Sequence, residues 1–167
     1  MKKERKFGLK EFPRPLNDAI GGVNVQALQD IELQGKNYLI NESIHLTGDM
    51  ARDYVQKRNM TLNGSFERLE RQKQYITNYF VNAKEVIKGD MTLPLTLYQN
   101  LNEKMCTDIT TEDIAYLVPE LLNMSMDFEN ISMIPGDIVQ GEIFAEYIIN
   151  EEKLKELVVN YFYEEIP

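Results

Sequence analysis

Leu46-Thr47-Gly48-Asp49-Met50-Ala51-Arg52-Asp53-Tyr54-Val55-Gln56-Lys57-Arg58, then Arg68-Leu69-Glu70-Arg71-Gln72 after a short loop, is the stretch whose reading decides the fold. Thr47 suits a helix N-cap, and Met50, Ala51, Tyr54, Val55 and Arg58 follow at three- and four-residue spacing on one face. Asn59 to Gly64 reads as a loop, with Asn63-Gly64 as its turn signal. Ser65 then caps a long helix over about residues 66–88, which Gly89-Asp90 ends. With Leu69 set at zero on a wheel of about 100° per residue, Ile76, Phe80 and Ala83 fall within about 40° of it. Leu69, Ile76, Phe80, Ala83 and Ile87 are therefore the expected buried stripe. Gln72 lies about 60° and Arg68 about 100° from its centre on one side, while Arg71 points to the exposed face.

Working outward, Gly21-Gly22 is a turn feeding a short alternating strand at Val23-Asn24-Val25, and Tyr38-Leu39-Ile40 reads as another strand. Leu95, Tyr98, Leu101 and Met105 give a short helix. Thr110 with Asp113, or Thr111 alone, caps the next one, which Pro119 is expected to kink or shorten. Ile131 to Ile134 and Ile143 to Ile149 read as strands. Asn150 caps a final helix with Leu154, Leu157, Val158, Tyr161 and Phe162 on its apolar side. The pattern is α/β with more helix than strand. Residues 1–16, broken by Pro13 and Pro15, are expected to be an irregular basic lead-in to one domain over 17–167.

The 167 residues suffice to bury roughly 70% of the unfolded surface. The net charge of −9 is unevenly spread. Residues 1–14 hold six bases against two acids, a balance of +4, which leaves 12 bases against 25 acids, or −13, in the rest. A body so acidic repels a phosphate backbone, and no helix-turn-helix pattern is visible, so nucleic acid is not an expected partner. Cys106 and His45 are each the sole residue of their type, which excludes an internal disulfide and a Cys/His metal cluster. No run reaches the ~18 apolar residues of a membrane span, and the first 30 lack a signal-peptide core, so the sequence as written directs the chain to the cytoplasm.

Any anion site must be a local cation cluster set against this field. Arg68 and Gln72 are an i, i+4 pair at the edge of the helix's expected buried face, near a positive N-terminus. A guanidinium engages two phosphate oxygens at once, and Arg58 precedes the loop. Two readings of these residues stand side by side. The pair points into an anion-binding cleft, or Arg68 pairs with Glu67 or Glu70 while Gln72 merely flanks the core.

The same residues resemble a known family. Leu46 through Arg58 with Arg68 through Gln72 is similar to "L-x-G-x-x-A-x-x-Y/F-V-R-x-R … R-x-x-R-Q" of LytR-CpsA-Psr (LCP) domains. Asp18-Ala-Ile-Gly-Gly-Val-Asn-Val25 resembles that family's "D-A-L/I-G-G-V-x-V". Asp108-Ile-Thr-Thr111, Ile134-Pro-Gly136 and Glu146-Tyr147 continue the likeness, in order, to about residue 163. The resemblance implies the C-terminal portion of an α/β/α sandwich. It implies a membrane-anchored, extracytoplasmic phosphotransferase that uses Mg²⁺ to move a polyprenyl-pyrophosphate-linked glycopolymer onto peptidoglycan.

Carried over residue by residue, Arg58, Arg68 and Gln72 match pyrophosphate-holding positions, and Arg71 matches a frequent arginine before the glutamine. No residue is nominated as catalytic. Gln56 departs from the pattern by standing where the first arginine of "R-x-R" is expected, a loss of about 1.5–3 kcal/mol against a pyrophosphate. The family's N-terminal half supplies the membrane helix, central strands and magnesium-binding aspartates, and residues 1–16 show none of them. The expectation is therefore a truncated domain without magnesium ligands of its own, self-associating through apolar surface that central strands normally cover. Three functions follow from the likeness: a phosphotransferase module, a non-catalytic binding remnant, or a regulatory protein of the attenuator type.

Overall fold

A computed structural model describes residues 13–61, 63–102, 107–124, 131–143 and 145–163, so Met105 and Cys106 lie outside the described residues. In chain order the elements are α1 (Pro13–Ala19), β1 (Val23–Gln26), β2 (Ile31–Leu33), β3 (Lys36–Tyr38), β4 (Ser43–Leu46), α2 (Gly48–Gln56), α3 (Gly64–Gly89), α4 (Leu93–Asn102), α5 (Thr111–Asn123), β5 (Gly136–Gln140), β6 (Ala145–Ile149) and α6 (Glu151–Phe162). The chain is mixed α/β and richer in helix than in strand. The described residues form two compact units, one within Met1–Lys57 and Arg68–Met126, the other within Arg58–Glu67 and Asp127–Pro167.

In the first unit β1 pairs antiparallel with β4, Val23 opposite Leu46 and Val25 opposite Ile44. Alternation does the work: Val23, Val25, Ile44 and Leu46 are buried, and Asn24 and His45 between them are exposed. Strands β2 and β3 form a tight hairpin whose turn residues Gln34 and Gly35 both have positive φ (50° and 78°), the backbone a twisted two-residue turn requires. Ile31, Leu33, Tyr38, Ala51 and Tyr54 complete the centre of the core, against which Tyr75, Tyr79 and Val86 of α3 and Ile114 and Leu122 of α5 pack. Thr110 and Asp113 close a reciprocal capping box at the start of α5, as their spacing predicts.

The second unit is built on the β5–β6 hairpin, Gly136 opposite Ile149. Gly136 admits no side chain, because a Cβ there would collide with the Ile148 carbonyl. Tyr147 donates its hydroxyl to Ile134 O (2.6 Å), and its ring lies 5.4 Å from that of Phe66. Asn150 accepts from Lys153 N–H (3.0 Å) and so caps α6 as expected.

Several local expectations fail for identifiable reasons. Helix α1 starts at Pro13 inside the stretch read as irregular, since proline needs no N–H partner in a first turn. The strand at 38–40 stops at Tyr38 because side chains take the next two amides: Leu39 N–H donates to Glu42 Oε2 (3.0 Å) and Ile40 N–H to Asp30 Oδ1 (2.8 Å). Helix α3 begins at Gly64, with Glu67 N–H donating to Asn63 O (3.0 Å), so Asn63 rather than Ser65 marks its start. Helix α5 continues past Pro119 to Asn123, the ring having removed one N–H without ending the turn. Residues 131–135 are not a strand; Pro135 instead offers its carbonyl to Asn150 N–H (2.9 Å) just before β5.

The largest correction concerns α3. Its expected buried stripe faces outward in part, Leu69 being 40% and Ile76 50% exposed. The face turned to the first unit's core carries Arg71, Gln74, Tyr75, Asn78, Tyr79, Asn82 and Ala83. Three of these are amides at four-residue spacing, and they donate to alternate carbonyls along β1 and the turn before it. Gln74 reaches Gln26 O (3.0 Å), Asn78 reaches Asn24 O (2.8 Å) and Asn82 reaches Gly22 O (2.7 Å). Four helical residues rise about 6 Å and two strand residues about 6.8 Å, so the two rows stay in step. Alternate carbonyls point away from β4, and helix side chains satisfy them where a neighbouring strand would otherwise be needed.

Candidate functional site

The two motif stretches around Asp18 and Leu46 are knitted together by hydrogen bonds. Asp18 Oδ1 accepts from Gly48 N–H (2.7 Å), so it caps α2 from 30 residues away, while Thr47 makes no side-chain cap bond. Buried Asn17 donates to Leu46 O (3.0 Å) and accepts from Tyr75 Oη (3.1 Å). Gly22 lies at φ +90°, and a Cβ there would stand 2.8 Å from Leu46 O.

At its other end α2 meets α3. A helix leaves its last four carbonyls without partners of its own. Lys57 N–H returns to Asp53 O (2.8 Å). Arg71 Nε donates to Tyr54 O (3.0 Å), Gln72 Nε2 donates to Val55 O (2.9 Å), and the Arg71 guanidinium also donates to Lys57 O. The cation sits at the negative end of the α2 dipole, with its carbon 5.9 Å from the Tyr54 ring centroid. The wheel placed Arg71 outward, whereas it is only 1% exposed. The reason is chemical: the wheel is oriented by apolar residues, and this helix packs against carbonyls that need donors.

Burial pushes the Tyr54 phenol up to about 12, against the lowering influence of Arg71, and its hydroxyl donates to Gln74 Oε1 (2.6 Å). Tyr75 is also pushed up to about 12, by burial first and then by Tyr79 and Asp18.

Of the other nominated residues, Arg68 is half-buried and its side chain forms no hydrogen bond or ion pair among the described residues, so the helix-edge pairing with glutamate is not found there. Gln72 spends one amide hydrogen on Val55 O and keeps a second donor. Arg58 is exposed and opens the second unit. Gln56, the departure from the family pattern, lines an open depression of 540 Å³ with Glu32, Gln34, Gly35, Asp53 and Lys57. Two carboxylates in that lining make it a poor phosphate pocket, and none of the nominated residues faces it. His45 is exposed beside Asn24, with Nδ1 2.7 Å from Asn24 Oδ1. Sequence reasoning missed the amide row on α3 and the remote cap by Asp18. The four-residue recurrence of Gln74, Asn78 and Asn82 was the visible signal for the first; for the second there was only the motif itself.

The profile of the LytR_cpsA_psr family matches residues 14–161, and the chain belongs to that family. Solved structures share its fold at low identity. TagU of B. subtilis superposes with a TM-score of 0.59 at 20% identity, over 95% of this chain and 64% of that one. A transcriptional regulator from Enterococcus faecalis gives 0.63 at 19%, over 88% and 53%. A LytR-Csp2A-Psr enzyme from Actinomyces oris gives 0.61 at 14%, over 89% and 60%. The chain thus spans less than two thirds of the length of these structures. No curated protein matches it. Among the described residues no helix is long and apolar enough to cross a membrane.

Proposed function

We infer that this chain is the pyrophosphate-holding part of a cell-envelope glycopolymer transferase, with the Arg68–Gln72 ridge of α3 as its contact to the ligand. The observation that carries the reading is Arg68: half-buried, one turn before Gln72, and without a carboxylate partner among the described residues. A guanidinium held in that state keeps its donors for an external anion, and pyrophosphate oxygens match its fork geometry. The second donor of the Gln72 amide adds a neutral contact one turn along. Arg58 joins the set by family likeness alone.

In members of the family the anion is the diphosphate that links a glycopolymer to a polyprenyl carrier, and the acceptor is peptidoglycan. Those are the partners proposed here. Magnesium belongs to the same reading, yet among the described residues no three His, Cys, Asp or Glu side chains converge on a point that suits a cation. The described residues therefore do not fit the metal, and no step is routed through it. What this chain contributes is binding and orientation of the diphosphate.

Calorimetric titration with a short polyprenyl pyrophosphate, with and without Mg²⁺, tests this. Arg68→Ala should weaken binding by about tenfold or more, the worth of one charge-assisted contact, and Gln72→Ala by less. Equal binding by Arg68→Ala and the unaltered chain would refute the site.

A further inference from the structure

Arg71 is the most deeply buried cation among the described residues, and both bonds described above run to backbone carbonyls at the C-terminus of α2, one in its last turn and one on its C-cap Lys57. A buried guanidinium is costly unless its donors are engaged, and here the engaged acceptors are the helix-end carbonyls that would otherwise lack partners. Its neighbour Gln72 takes the carbonyl between them, so Tyr54 O, Val55 O and Lys57 O are clamped by two consecutive residues of α3. A helix is stiff over one turn. Fixing residues 71 and 72 against α2 therefore fixes the height and the angle at which Arg68, three residues earlier, stands.

We propose that Arg71 is a positioning residue for the pyrophosphate site and not one of its ligands: it locks α3 onto the C-terminus of α2 so that Arg68 and the second Gln72 donor face the anion together. This rests on the pyrophosphate reading of Arg68 and Gln72. It reassigns the arginine that the family pattern places among the phosphate contacts. The fork geometry is essential, because carbonyls three residues apart in the chain are bridged by separate nitrogens of one planar group, which a lysine ammonium cannot reproduce.

The experiment uses the full chain and inorganic pyrophosphate as the probe. In the unaltered protein, the arginine Nε–H resonances are followed by NMR for hydrogen exchange and during titration. Arg71 Nε–H should be protected before ligand is added and should barely move, while the Arg68 resonance shifts. Arg71→Lys should lose about tenfold in affinity in the unaltered background but less than about twofold in Arg68→Ala, since the clamp acts through Arg68. Three results would overturn the inference while leaving the site intact: an unprotected or strongly shifting Arg71 Nε–H, Arg71→Lys binding as tightly as the unaltered chain, or additive losses in the double variant. Absence of any pyrophosphate binding by the unaltered chain removes the site reading and this inference together. Should Arg71→Lys fail to fold, the resonance of the unaltered protein decides.

Discussion

Asn82 Nδ2 donates to Gly22 O over 2.7 Å, and the same nitrogen lies 3.2 Å from Ile20 O. This end rung of the amide row ties the long helix to the glycine turn that starts β1. The three rungs explain why a helix can pack by a face rich in Gln and Asn: the surface opposite is a line of carbonyls, not a bed of methyl groups.

Replacing Asn82 by Asp should therefore cost more than replacing it by Ala, although Asp has nearly the same shape. Alanine leaves two carbonyls short of a donor, a loss of about 1–3 kcal/mol. A carboxylate adds oxygen-to-oxygen repulsion, and that excess should shrink as the solution is acidified. Urea unfolding of both variants measures this, and an Asp variant as stable as the unaltered chain would contradict it.

Gly21 and Gly22 separate two costs. Both sit at positive φ, +75° and +90°, but a Cβ meets nothing within 4 Å at Gly21 and stands 2.8 Å from the Leu46 carbonyl at Gly22. Gly21→Ala should cost about 1–2 kcal/mol, the backbone penalty alone. Gly22→Ala should cost clearly more, because the atom in the way is backbone and cannot swing aside. Thermal melts of the pair give the comparison.

Asp18 should behave as the cap of α2. Asp18→Ala is expected to lose about 1 kcal/mol, Asp18→Asn only a few tenths, and Thr47→Ala almost nothing despite Thr47's place just before the helix. A Thr47→Ala loss equal to that of Asp18→Ala would show that the cap has been assigned to the wrong residue.

Alkaline stability should report the buried phenols. Tyr54 ionises near the ordinary 10.0 in the unfolded chain and only at about 12 in the folded one. Across that interval the unfolded state holds fewer protons, so the stability contribution is complete below the lower value and is lost as pH rises through the upper one. Tyr75 acts in the same direction. Tyr54→Phe should flatten the alkaline limb of a stability-versus-pH curve by about one proton, and an unchanged limb would place its ionisation elsewhere.

Much of the fold was legible where a single local rule governs. Alternation marked Val23 and Val25, the Thr110–Asp113 spacing gave the capping box, and Asn150 marked the start of α6. The strands β2 and β4 were not legible, being three or four residues long and defined by partners distant in the chain. The orientation of α3 misled because its apolar residues, Leu69 and Ile76, are not those it turns to the first unit's core. Arg68 and Gln72 were visible through their motif. The burial of Arg71 was not, since it depends on carbonyls of α2 and its C-cap that only the folded chain brings to it.

A thermal melt of the chain with and without a short polyprenyl pyrophosphate and Mg²⁺, run beside Arg68→Ala, tests the pyrophosphate site most directly. The account predicts a cooperative transition that rises with ligand in the unaltered chain and does not rise in the variant. A cooperative transition indifferent to ligand in both would contradict it, and would make the α3 arginines structural.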